Sequence, residues 1–162
     1  MSIGSRIKRF RTYRGKTMKE IGMGLGMSER TSDVRMAQYE SGTRVPKKDI
    51  LEKIAFGLHV NPDAIDIPDP STNNGFIFNL FEYFHLYGLH PTEVNKKILL
   101  EFDPDVIPTE DMDVLKDWFD EYNNYTQGKI TKEQYIDWLL SYPAYSKNLH
   151  NNSRAKWLGK SK

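Results

Sequence analysis

The sequence predicts a mainly α-helical chain, α+β overall: five short helices, then a small, mainly helical domain with one β-hairpin. Three observations carry this. Apolar residues recur at three- and four-residue spacing along most of the chain. Capping patterns and turn glycines punctuate those runs at short intervals. One stretch differs in character, where Ile98, Leu100 and Phe102 alternate with Leu99 and Glu101 as a strand requires.

Ile3, Ile7 and Phe10 mark the first helix, and Gly15 is placed to end it. Thr17-Met18-Lys19-Glu20 has the form of a capping box and opens a second helix through Ile21 and Leu25, with a turn at Gly26. A third runs from Asp33 to Glu40, with Ser32 as N-cap and Met36 facing inward. After Pro46, a fourth buries Ile50, Leu51, Ile54, Ala55 and Leu58. Asn61-Pro62-Asp63 starts a short fifth helix, completing a domain over residues 1–67.

Residues 68–75 (PDPSTNNG) read as a linker. Beyond it, residues 76–143 form an α+β domain for dimerisation or partner binding. Phe76, Leu80, Phe84 and Tyr87 make a helical aromatic stripe, and Asn95-Lys96 turns the hairpin. Thr109 caps a helix whose inner face is Leu115, Trp118, Phe119 and Tyr122. A second capping box, Thr131 to Gln134, precedes Tyr135, Trp138, Leu139 and Tyr142, and Pro143 stops that helix. Residues 144–162 are a basic tail.

Composition sets the frame. The chain has 162 residues, 28% charged and 38% hydrophobic, which excludes a wholly disordered or collagen-like protein. No apolar run approaches the roughly 20 residues of a membrane span, and the N-terminus lacks a signal-peptide core. With no cysteine, disulfides, thiolate metal sites and cysteine nucleophiles are removed together. The expectation is a cytoplasmic protein with no membrane partner. Charge is divided unevenly. Residues 1–68 hold 13 Lys+Arg and 8 Asp+Glu, whereas residues 69–162 hold 10 and 14. Seven bases and no acid fall within the first 19 residues. Such a block reads as polyanion-binding or as a solvated helix face.

The first half resembles the Cro and lambda-repressor type of helix-turn-helix domain, the XRE-like family. The resemblance rests on Ile3, Ile7 and Arg11; on Thr17, Ile21, Leu25 and Gly26; on Gln38-Tyr39-Glu40-Ser41-Gly42-x-Arg44-x-Pro46; and on Leu51, Ile54, Ala55, Leu58, Val60, Pro62 and Asp63. It covers residues 3–66 and implies double-stranded DNA as partner, with the third helix reading base edges. Carried onto this sequence, the base-reading set is Ser32, Asp33, Val34, Arg35 and Gln38. Arg35 suits guanine, Gln38 adenine, and Val34 a thymine methyl group. Asp33 can accept from cytosine or serve as an acid at the helix N-terminus. Phosphate contacts are expected from Arg11, Lys16, Lys19, Arg30, Arg44, Lys47 and Lys48. Glu40 is expected to pair with Arg11 or Arg44, and Tyr39 to pack.

The sequence departs from the family in three places. Met18 stands where the family usually has a phosphate-anchoring Gln. The second helix contains Gly22 and Gly24, each costing about 0.5–1 kcal/mol in a helix interior. The stretch from Ser28 to Tyr39 is about four residues longer than usual. Ser28-Glu29-Arg30-Thr31 either lengthens the turn or adds a turn to the third helix, and a longer helix moves base reading to Glu29, Arg30 and Ser32.

Nothing in the chain resembles a catalytic constellation, so no enzyme, metal or cofactor is expected. Gly22-x-Gly24-x-Gly26 follows no strand and lacks the Lys-Ser/Thr of a phosphate loop. Asp103, Asp105, Glu110, Asp111 and Asp113 do not match a calcium loop, and the histidines have no zinc-protease spacing. The expected function is a sequence-specific transcriptional regulator, a repressor of phage or mobile-element type, acting as a homodimer through Phe76, Leu80, Phe84 and Tyr87. The alternative is a mobile-element inhibitor of anti-CRISPR kind, whose acidic aromatic half binds a host protein while the DNA-binding head regulates its own gene.

Overall fold

Local signals set the helix ends in the first half. The computed structural model describes residues 1–142. Helix α1 (Ile3–Tyr13) starts at Ser2, whose Oγ accepts from the Ser5 N–H. Helix α2 (Met18–Gly24) starts at a complete capping box between Thr17 and Glu20. Helix α3 spans Glu29–Glu40 with Ser28 at the N-cap, four residues earlier than the sequence predicts. The added Ser28–Thr31 segment therefore extends the helix rather than the turn. Helix α4 (Lys48–Leu58) ends on His59 in the left-handed conformation, and α5 (Pro62–Ile65) is capped by Asn61 Oδ1.

These helices close around one core of Ile7, Ile21, Met36, Tyr39, Leu51, Ile54, Ala55, Leu58 and Ile65, all buried. Two points make the packing unusually specific. A Cβ on Gly22 would stand 2.6 Å from Ser32 Cβ, so α2 and α3 approach as closely as a glycine permits. Ser32 is fully buried there, and its hydroxyl donates to the Glu29 carbonyl. It is a packing residue, not an N-cap, because Ser28 already starts the helix.

Helix α6 (Asn73–Tyr87) begins inside the stretch expected to be a linker. Gly75 is buried, and a Cβ there would overlap the Asp69 carbonyl. Glu82, on the same helix, receives Arg6 Nε at 3.0 Å and Arg9 Nη2 at 2.8 Å. Contacts accordingly divide the chain within α6, into Met1–Glu82 and a unit from Tyr83 onward, not at residues 68–75.

The second unit contains the last turn of α6, strands β1 (His90–Val94) and β2 (Lys97–Glu101), α7 (Thr109–Thr126) and α8 (Lys132–Ser141). The strands form a two-stranded antiparallel hairpin turned by Asn95 and Lys96, both at positive φ. Tyr87 meets Phe102 edge-on at 6.4 Å. A cleft of about 300 Å³ lies among Tyr83, Tyr87, Phe102, Ile107, Asp111, Val114 and Leu115. Helix α7 begins at Thr109 itself, with Pro108 in the cap position. Its expected inner face is corrected: Trp118, Phe119 and Tyr122 are each half exposed or more. Trp118 Nε1 donates to Tyr135 Oη at 2.7 Å, and Tyr135 stacks on Tyr125, so α7 and α8 meet through stacked rings and the Tyr135 hydroxyl. Pro143 and the basic tail lie outside the described residues. Among the described residues, no helix is long and apolar enough to cross a membrane.

Two outcomes follow for stability. Gly22→Ala should destabilise the first unit by about 1–3 kcal/mol through overpacking against Ser32. Gly24→Ala, with open space around its added methyl group, should be neutral or stabilising by up to ~1 kcal/mol. Denaturant melts of the two variants check this. Burial pushes the Glu82 carboxyl up, but hydrogen bonds from Arg9 and Arg6 outweigh it and hold the group below its usual range. Its stabilising effect is complete above the unfolded value of about 4.3 and is lost as pH falls through the lowered folded value. The melting temperature of the wild type should fall more steeply on acidification in that window than that of Glu82→Gln.

Candidate nucleic-acid interface

Of the side chains on α3, Ser32, Met36, Tyr39 and Glu40 are buried, whereas Arg30, Asp33, Val34 and Ala37 are exposed. These four recur at helical spacing and form one outward stripe, with Glu29 and Thr31 also exposed in the first turn. Arg35 and Gln38 are half-buried at its flanks. The base-reading set expected from sequence is thus split. Asp33 and Val34 lie outward, Arg35 and Gln38 lie at the margin, and Ser32 is withdrawn into the α2–α3 contact, out of reach of any ligand.

The basic block at the N-terminus is largely internal. Arg11 forks onto Glu40, with Nη2 to Oε2 at 2.9 Å, and donates through Nη1 to the Lys16 carbonyl. That pair raises the Arg11 pKa, chiefly through the hydrogen bond to Glu40. Arg11 therefore ties α1, the following loop and the end of α3 together, and the phosphate role expected for it is corrected. Arg14 caps α4 by donating to the carbonyls of Leu58 and His59 at 3.0 Å. Arg6 and Arg9 hold Glu82. Lys19 pairs with Glu29 across the α2–α3 corner, which raises the lysine and lowers the carboxylate.

The other cations expected to meet phosphate point to solvent. Lys16, Arg30, Arg44, Lys47 and Lys48 are exposed and form no ion pair among the described residues. Arg44 is brought to the last turn of α3, because its N–H donates to the Gln38 carbonyl at 3.0 Å. Neither Ser28 nor Lys47 caps its helix with a side chain, so among the described residues the first N–H groups of α3 and α4 have no cap beside Arg30 and beside Lys47 and Lys48. Uncapped helix starts flanked by cations suit anionic oxygens. Helix α2 differs, since Thr17 and Glu20 close a capping box at its N-terminus and Met18 brings no polar group.

Sequence reasoning missed Glu82 as the acid that takes up two arginines, and no sequence pattern links residues so far apart in the chain. On the remaining expected interface, Phe76 and Phe84 are more than half exposed, Leu80 and Tyr87 half-buried.

The division between internal and external cations has a direct consequence. Arg11→Ala leaves Glu40 buried without its partner and should cost about 3–5 kcal/mol. Lys48→Ala should change stability by less than ~0.5 kcal/mol. Equilibrium unfolding of both variants separates the classes.

No protein-family model, no curated protein and no solved structure matches this chain.

Proposed function

We propose that the first unit is a helix-turn-helix module that binds duplex DNA, with α3 in the major groove, and that the chain acts as a dimeric transcriptional regulator. The observation that carries this reading is the outward stripe of α3, braced from behind by α2. A groove-reading helix needs a second helix to hold it and a tight turn to set its angle. Here Gly22 lets α2 approach, and Gly26 turns the chain between them at φ 81°.

The early start of α3 moves the reading position. Arg30 is the exposed guanidinium in its first turn and suits the O6 and N7 edge of guanine. Val34 suits a thymine methyl group, and Asp33 a cytosine amino group. Arg44, Lys47, Lys48 and Lys16, with the open N–H groups of α4, suit phosphates and set register without carrying sequence information. The exposed aromatic face of α7, in an acidic half of the chain, favours a second role in binding a host protein, separable because it does not involve α3.

Fluorescence anisotropy of the full chain with labelled duplexes, at stepped salt, tests the proposal. Log affinity should fall linearly with log salt, by about 0.9 per phosphate neutralised. Arg30→Ala should cost about 1–3 kcal/mol on the preferred duplex and relax preference at one base pair. Lys48→Ala should weaken all duplexes alike and reduce the salt slope by about 1. No detectable duplex binding at low salt would refute the reading, and unchanged preference in Arg30→Ala would refute its register.

A further inference from the structure

An isolated two-stranded hairpin is marginal in water, and this one is exposed along nearly its whole length. Its β2 side chains are the anomaly: Ile98 is 71% exposed, Leu99 46% and Leu100 52%. The two outer edges are not equivalent. In a hairpin with a two-residue turn, Val94 and Lys97 exchange ladder bonds and the pairs then alternate. Residues 97, 99 and 101 therefore turn their backbone groups toward β1, and residues 98 and 100 turn theirs outward. By the same alternation Pro91, opposite Leu100, occupies an outward position on β1, where its missing N–H blunts that edge. The β2 edge has no such protection. The N–H and C=O groups of Ile98 and Leu100 have no partner outside the hairpin among the described residues.

We propose that β2 pairs antiparallel with β2 of a second copy of this chain, about a two-fold axis at Leu99. The segment Lys97-Ile98-Leu99-Leu100-Glu101 is self-complementary in that register. Leu99 faces its own copy, and Ile98 faces Leu100 of the partner subunit. Lys97 faces Glu101 of the partner subunit, and Glu101 faces the partner's Lys97, so both ends carry opposite charges. Backbone phase agrees with side-chain chemistry. The outward groups of Ile98 and Leu100 fall at hydrogen-bonded pairs, while residues 97, 99 and 101 fall at the closer, non-hydrogen-bonded ones, about 4.5 Å between Cα atoms. A one-residue slip would place Lys97 or Glu101 against an apolar side chain. The result is a four-stranded sheet with Pro91 on both outer edges and an isologous interface that closes at two copies.

This interface rests on the dimeric reading above, and sedimentation of the full chain separates the two. The wild type should be a dimer at micromolar concentration. Lys97→Glu and Glu101→Lys each place like charges opposite one another and should weaken the dimer at least ~tenfold. The Lys97→Glu/Glu101→Lys double variant should restore it, a rescue that no effect on the single-chain hairpin provides. Leu99→Cys, in a chain with no other cysteine, should oxidise to a disulfide-linked dimer, because such a pair lies within disulfide reach. Thr92→Cys, on β1, should not. A wild-type dimer that is indifferent to both charge reversals and uncrosslinked in Leu99→Cys would overturn this interface and leave the dimer standing. A monomeric wild type would overturn both.

Discussion

The close approach of α2 to α3 at Gly22 and Ser32 is the contact on which the presentation of α3 depends. It leaves no room for a β-carbon on α2, so the two helix backbones are separated by little more than one serine side chain. That proximity turns one side of α3 inward, with Ser32, Met36, Tyr39 and Glu40 on the buried face. The opposite stripe is thereby committed to solvent. The glycine that weakens α2 as an isolated helix is the residue that lets it serve as a brace, an exchange of local propensity for tertiary geometry.

Electrostatics reinforces the same arrangement from the other end. Arg11 and Glu40 lock the C-terminus of α3 to α1, and Lys19 and Glu29 join its N-terminus to α2. The bases of the first 19 residues thus divide by function. The arginines at 6, 9, 11 and 14 cap carbonyls or neutralise buried acids, and Lys16 forms no ion pair among the described residues. Net charge alone overstates the surface available to a polyanion, because arginine forks suit internal carboxylates as well as phosphates. Exposed cations remain at both ends of α3 (Arg30, Arg44) and the start of α4 (Lys47, Lys48), besides Lys8, Lys16 and Lys53.

Much of the first unit was legible in the sequence because its signals are local. Thr17 with Glu20, Asn61 with Pro62, and the Ile50–Leu58 face specify their helices within a few residues. The start of α3 was not, because serine is a sound N-cap at both 28 and 32, and the burial of Ser32 against Gly22 is a tertiary contact. The candidate site was half legible: residue types and the helix were readable, but the choice between Arg30 and Arg35 depends on that same start. The second unit was less readable still. Asn95-Lys96 and the alternation after it gave the hairpin, yet the spacing of Leu115, Trp118, Phe119 and Tyr122 states only that α7 is amphipathic. Periodicity does not say whether the apolar face meets its own chain or another. Glu82 was invisible, since its partners lie at the far end of the sequence.

The central proposal is that α3 reads base pairs. Incubating the full chain with a pool of randomised duplexes, recovering the bound fraction over several rounds and sequencing it tests that claim most directly. The expected product is an enriched inverted repeat whose half-sites lie about one helical turn, roughly 10 base pairs, apart. Recovered duplexes indistinguishable from the input pool, at a salt concentration where the chain still binds, would contradict sequence reading by α3 and leave only backbone attraction.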